Sequence, residues 1–401
     1  MQRAVTTDFS ATTVSPDINF RYLWTITFVA ALGGLLFGYD WVVIGGAKPF
    51  YEAYFHLTRE FQIGLANSCA LIGCFLGSSA GGRASDYIGR RRTLTLAAAL
   101  FTVSSVFTGW SFSFHSFIIW RIVGGFAIGL ASNVSPTYIA EISPAAWRGR
   151  LVSLNQLALV TGILGAQIAN WRIARHVPEG LSERAIAASW NVQYGWRWMF
   201  TAVALPSLLF LLAVPFIPES PRWLVVRHRI AAAKDVLCKI GGRRYSTAEV
   251  ESIQQSLRGS GNEGAVWHEI LRGKIGRLLL VGIALVVLQQ GSGINILFNY
   301  AEEVYRSAGY GVNDILFNIV ITGTINLLFT VLAMLFGGSA GTPTTHAARL
   351  LFDRLLSSCG EYCISHAHAG CLDSRADAGS HRVLRHDPCA HHLGADHGDF
   401  P

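Results

Sequence analysis

The chain has 401 residues, 51% of them hydrophobic and only 14% charged, with a mean hydropathy of +0.37. Soluble domains carry about 25% charged residues, so this balance points away from a string of soluble domains and toward an all-α polytopic membrane protein. It also excludes a nucleic-acid binder: the net charge of +7 comes from short basic clusters between apolar stretches, where membrane topology accounts for it.

The N-terminal stretch is polar up to Phe20, with no charged-then-apolar leader and no small-residue cleavage site. The first apolar segment is therefore read as a retained span. Crossing the hydrocarbon takes about 20 residues, and eight segments qualify: Tyr22–Ile44, Gln62–Gly82, Thr93–Phe114, Phe117–Tyr138, Leu151–Trp171, Trp198–Phe216, Ile275–Tyr300 and Val312–Phe336. Runs of glycine such as 77–82 and 124–129 fit helices that approach closely. Cys69 and Cys74 lie within a span, where thiols pack as small hydrophobes, and the remaining cysteines do not form a disulfide framework.

Lys and Arg placement sets the expected orientation. The loop after the second span holds Arg83, Arg90, Arg91 and Arg92, and the loop after the fourth holds Arg148 and Arg150. The segment 218–274 is basic throughout. The positive-inside rule puts these regions and residues 1–21 in the cytoplasm of a multi-pass cell (inner) membrane protein. Residues 22–217 then form a six-helix transmembrane bundle. Residues 218–274 form an intracellular helical linker, amphipathic around Ala231–Leu237. Residues 275–336 supply two spans of a second, incomplete bundle.

After Phe336 the chain changes character. Residues 337–401 contain no apolar run long enough to span, eight of the thirteen His and four of the seven Cys. Cys359, Cys363, His366, His368 and Cys371 are zinc-ligand types, but their spacing matches no common zinc template. The irregular mixture of Ala, Arg, Gly, His, Ser and Cys reads as a shifted reading frame, with a disordered tail as the alternative.

Ionisable groups at membrane depth are costly and face a cavity or a partner. Asp40 falls late in the first span and Arg121 early in the fourth, which runs the opposite way, so the two reach similar depth. They can form a fixed ion pair, or a titratable carboxylate whose proton affinity depends on where the Arg stands. Six amides form a second set: Gln289, Gln290 and Asn295 on the seventh span, Asn326 on the eighth, and Gln156 and Gln167 on one face of the fifth. Any one could be helix–helix glue. Together they fit a wet central site for a neutral polyhydroxylated ligand, because amides donate and accept without adding charge. Phe37 offers an apolar face for a sugar ring. There is no phosphate-binding glycine loop, no nucleophile–base motif and no cofactor motif, so no enzyme activity or cofactor is expected.

Over residues 22–336 the chain resembles the sugar porter family of the major facilitator superfamily. The residues that carry the resemblance are Gly33–Asp40, Gly82–Arg92, Arg121–Gly125, Tyr138–Pro144 with Arg148-Gly149, Pro218–Leu224 and Gln289–Asn295. The resemblance implies a fold of two pseudo-symmetric halves built from inverted three-span repeats, with the sugar between them. It implies that Gln156, Gln289, Gln290, Asn295 and Asn326 bind sugar, and that Asp40 and Arg121 are the pair used by proton symporters of the family. It implies a cytoplasmic gate of charges made by Arg90, Arg91, Glu141, Arg148, Glu219 and Arg222, to which Arg83 and Asp86 of the same motif belong. Two departures stand out: Asn299 replaces the first of two tyrosines, and Gly337–Gly341 stands where the second copy of the Asp-x-x-Gly-Arg-Arg loop is expected. The expectation is a monomeric, proton-coupled monosaccharide symporter for a xylose- or glucose-like aldose. The alternatives are a non-transporting fragment that keeps at most sugar binding, and a facilitated uniporter.

Overall fold

The computed structural model describes residues 18–175, 188–258, 274–291, 293, 300, 304–305 and 312–337. All secondary structure among them is helical. Helix α1 (Phe20–Tyr54) starts where the Asn19 side chain accepts a hydrogen bond from the Tyr22 amide at 3.2 Å. Helices α2 (Glu60–Ile88) and α3 (Arg90–Gly109) are separated by Gly89 alone. Helix α4 (Phe114–Ile142) is capped by Ser113, and α5 (Arg148–Ile173) follows a short turn. Helix α6 (Asn191–Phe216) opens on a π-helical turn and closes on a 3-10 turn. Short α7 (Pro221–Val226) has Ser220 as its cap and proline in its first turn, where a missing N–H costs nothing. Helix α8 (Ile230–Arg258) breaks at Gly241–Gly242, where Gly242 has φ of 78°. Helices α9 (Lys274–Gly291) and α10 (Val312–Gly337) complete the described chain.

Packing follows a symmetric plan. Helix α2 packs on α4 and α1 packs on α5; α3 packs on α4 and α6 packs on α1. Exchanging α1–α3 for α4–α6 maps each of these pairs onto the other. Because α1 and α4 run in opposite directions, the two units are inverted repeats, as the family resemblance implies. The core between them is an apolar cluster to which all six helices contribute, most heavily α1, α4 and α6, with Tyr51, Phe117, Trp196 and Phe200 fully buried. Helix α10 lies along α5, with the rings of Trp171 and Phe317 at 5.8 Å.

The α2–α4 contact is close enough to require small residues. A methyl group on Gly125 would overlap the Ala70 carbonyl oxygen on α2. Gly125→Leu is therefore expected to abolish folding, read as loss of the monodisperse peak of the detergent-extracted protein on size-exclusion chromatography. Gly64→Leu, where nothing lies within 4 Å, should leave that peak in place.

The helices outrun the spans read from hydropathy. The first span was expected to stop at Ile44, yet α1 continues to Tyr54, with Pro49 inside it. Helix α2 runs past Gly82 to Ile88. Arg83 is thus helical rather than in a loop, and Arg90, Arg91 and Arg92 form the first turn of α3. Backbone hydrogen bonding does not end where the hydrocarbon does, so apolar content marks membrane depth and not helix length. Six helices among the described residues are long and apolar enough to cross a membrane: α1, α2, α4, α5, α6 and α10. Helix α3 carries three Arg and six Ser or Thr, and the apolar part of α9 is the shorter Leu279–Leu288. The seventh span beyond Gly291, apart from residues 293 and 300, and the segment 338–401 lie outside the described residues.

Candidate functional site

Asp40 and Arg121 meet in the middle of the bundle. Arg121 Nη1 donates to Asp40 Oδ1 at 2.7 Å and to Oδ2 at 2.8 Å. Both residues are buried, at 6% and 4% exposure. The guanidinium also stands 5.3 Å from the Phe200 ring centroid. Removing one member of such a pair leaves an unbalanced charge, which costs about 3–5 kcal/mol. Beside the pair is a small cavity of about 40 Å³, with Asp40, Arg121, Asn67 and Phe37 in its walls. Phe37 packs edge-to-face on Trp41 at 6.1 Å.

The amides occupy different environments. Gln156 is exposed on α5. Three turns along the same face, Gln167 is 1% exposed and covered by α10, where a methyl group on Gly323 would overlap its Oε1. Neither Gln167 side-chain atom has a partner among the described residues. Asn326 is half-buried on α10. Gln289 and Gln290 fall in the last turn of α9, with their side chains outside the description, and Asn295 lies outside the described residues altogether.

A second cluster joins the α2–α3 turn to the end of α4 and the start of α7. Glu219 Oε1 accepts from the backbone amides of Arg90 at 2.8 Å, Arg91 at 3.1 Å and Ser220 at 2.9 Å. It therefore caps α3, whose own cap position, Gly89, has no side chain. Gly89 is needed twice over: its φ is 97°, and a side chain there would overlap Glu219. Arg90 pairs with Glu141 at 3.0 Å and with Asp86 at 3.0 Å. Ser220 Oγ donates to Glu141 at 2.6 Å, and Trp223 and Arg227 donate to the Asp86 carbonyl. At its other end α3 is closed by buried Arg197, which donates to the carbonyls of Gly109 and Ser111.

Arg83, Arg148 and Arg222 were expected in this cluster, but all three are exposed and stand outside it. The charge of Arg148 acts instead on Tyr245, whose hydroxyl is pushed up to about 12 by burial first and by Glu249 next, against the opposing pull of Arg148. Ser220, Trp223 and Arg227 were missed as members. Ser220 and Trp223 lie within Pro218–Leu224, but neither carries a charge that would mark it as a member. Among the described residues no three His, Cys, Asp or Glu are placed to hold a metal, and the tail's Cys and His lie outside them.

The family model for sugar (and other) transporters matches residues 26–346. The chain belongs to that family. The chain is 39% identical to the D-xylose-proton symporter of Escherichia coli (strain K12) over 347 residues, covering 80% of this chain and 68% of the relative. It is also 39% identical to the glucose transport protein of Synechocystis sp. (strain ATCC 27184 / PCC 6803 / Kazusa) over 320 residues, covering 79% and 67%. Among solved structures it is similar to the E. coli xylose transporter XylE in a partially occluded inward-open conformation, with TM-score 0.68, 37% identity, and coverage of 80% of this chain and 74% of that one. XylE bound to 6-bromo-6-deoxy-D-glucose aligns with TM-score 0.70 and 38% identity, covering 79% and 69%. The major facilitator fold follows from the likeness to XylE, and the integral multi-pass character from the spanning helices and the transporter family together.

Proposed function

We propose that this chain carries a monosaccharide of the xylose or glucose type across the cell membrane together with protons, as a monomer working by alternating access. The observation that carries the reading is the buried Asp40–Arg121 pair. In this reading Asp40 is the group that carries the proton, and Arg121 is the partner it leaves and rejoins as the carrier changes conformation. A carboxylate that gains and loses a proton with conformation couples the two. The names of the relatives, a D-xylose-proton symporter and a glucose transport protein, support the substrate class.

In this reading the N-terminus faces the cytoplasm, because the Lys and Arg of residues 83–92, 148–150 and 218–274 then lie on the cytoplasmic side. The Glu219–Arg90–Glu141 cluster is the cytoplasmic gate, tying α3 and α4 to the start of the linker helix α7. Gln156, Gln167, Gln289, Gln290, Asn295 and Asn326 hold the sugar hydroxyls, with Phe37 against the ring. Gln290→Ala is expected to raise the KM for sugar about tenfold or more, the loss of one good hydrogen-bonding amide, with little change in the maximal rate. Radiolabelled uptake checks it, and an unchanged KM would remove Gln290 from the site.

The reading itself is tested by sugar counterflow in proteoliposomes loaded with unlabelled xylose or glucose. Transient uphill entry of the labelled sugar is expected, and its absence with both sugars would count against it.

A further inference from the structure

Helix α10 presses on α5 at a polar side chain that has nothing to bind. Gln167 lies in the last two turns of α5, which ends at Ile173, and is 1% exposed. Its Oε1 and Nε2 are both sealed from solvent, and neither has a hydrogen-bond partner among the described residues. Gly323, three turns into α10, closes over them: a methyl group there would overlap Oε1 and crowd Nε2. Only a residue without a side chain lets the two helices come this close. The contact around the amide is otherwise well made. Trp171 and Phe317 pack at 5.8 Å, and Asn170, one turn on from Gln167, donates to the Val43 carbonyl at 3.1 Å and so ties α5 to α1. An amide serving as glue between helices would bond across the contact. Gln167 does not, and a buried donor and acceptor left unmade weaken the contact they sit in. The seam lies at the end of α5 opposite Arg148, away from the Glu219–Arg90–Glu141 cluster.

We propose that the α5–α10 seam is a sugar-operated clasp, with Gln167 as the positioning residue that makes the closed, sugar-free seam costly and Gly323 as the position that allows it to close. The proposal rests on the sugar-transport reading above. When α10 lifts from α5, the Gln167 amide is uncovered. It then donates to and accepts from the hydroxyls of a monosaccharide, the neutral groups that an amide matches. Asn326 lies one turn on from Gly323 along α10 and is half-buried, so a second amide stands beside the parted seam. The closed seam offers the sugar neither of the Gln167 atoms. The sugar therefore binds the parted form better, and that difference in affinity is what shifts the equilibrium. If Gln167 were only a packing residue, its replacement would leave the response of the seam to sugar as it was.

The test is hydrogen–deuterium exchange followed by mass spectrometry, on the full chain in lipid nanodiscs, with and without xylose or glucose. Exchange of the backbone amides in residues 160–173 of α5 and 312–325 of α10 reads local opening of the seam. Gln167→Leu nearly keeps the volume and removes the unpaired amide, so sugar-free exchange there should slow about tenfold, the effect of one unmade buried group. Gly323→Ala should speed it, because the methyl group and the amide compete for one space. Adding Gln167→Ala to Gly323→Ala frees that space and should bring exchange back toward the parent. Sugar should speed exchange at the seam in the parent and fail to do so in Gln167→Leu. Parental or faster sugar-free exchange in Gln167→Leu would overturn the clasp, and so would sugar that alters exchange elsewhere in the parent but not at the seam. Exchange altered nowhere by either sugar would instead count against the sugar-transport reading, and that outcome is distinct because the sugar-free shifts of the variants are read without any ligand.

Discussion

Asp40→Asn is expected to abolish proton-driven accumulation of sugar while sparing counterflow. Asn has nearly the shape of Asp and keeps an oxygen that Arg121 Nη1 can reach, so the α1–α4 contact survives. It cannot gain or lose a proton, so the conformational cycle no longer depends on one. The size of the effect follows from the driving force. One charge crossing 100 mV yields about 2.3 kcal/mol, enough for a roughly 50-fold concentration ratio. The variant should bring the sugar only to equal concentrations on both sides. It should also melt earlier than the parent, because Arg121 is left buried without its counter-charge, a loss of about 3–5 kcal/mol. Accumulation at the parental ratio by a folded Asp40→Asn protein would remove Asp40 from the coupling mechanism.

Glu219→Ala is expected to be among the most destabilising single changes in the molecule. One carboxylate oxygen accepts from three backbone amides, two of them at the start of α3. The hydrogen bonds are charge-assisted, each contributing about 1.5–3 kcal/mol. Alanine leaves the Arg90 and Arg91 amides without a cap that Gly89 can replace. A loss of about 3–5 kcal/mol is the expected net result after water enters. Glu219→Gln keeps an acceptor oxygen and loses the charge, so it should fall between alanine and the parent. Thermal stability followed by size-exclusion chromatography in detergent reads both. Identical midpoints for parent and Glu219→Ala would show that the carboxylate does not hold the α3 start. The same variant should loosen α7, because Ser220 loses the acceptor for its amide, so faster proteolysis within residues 221–258 should accompany the lower midpoint.

The membrane-embedded pair was legible in the sequence because depth can be counted. Asp40 lies four residues before the end of the first apolar span, at Ile44, and Arg121 four residues after the start of the fourth, at Phe117, which runs the opposite way. Charge at that depth demands a partner, so a residue count was enough. The end cluster was only half legible. Charge pointed to Arg90, Glu141, Asp86 and Glu219, which do meet. It also pointed to Arg83, Arg148 and Arg222, which face outward. Outside the hydrocarbon an arginine can be solvated at no great cost, so its presence near a cluster does not place it there. Nor could charge reveal that Glu219 serves backbone amides more than side chains. The hydrogen bond from the Tyr51 hydroxyl to Asn67 was not legible for a different reason: each residue is ordinary in a membrane helix, and nothing in either marks the contact across α1 and α2. Helix lengths were underestimated because hydropathy reports the membrane and not the backbone, as the extension of α1 by ten residues beyond Ile44 to Tyr54 shows.

The most direct test of proton-coupled sugar transport is the external pH of lightly buffered proteoliposomes containing the 401-residue chain when xylose or glucose is added outside. Sugar entering with protons predicts a prompt rise in external pH that an uncoupler abolishes and that Asp40→Asn fails to give. Sugar uptake with no change in external pH would contradict the account.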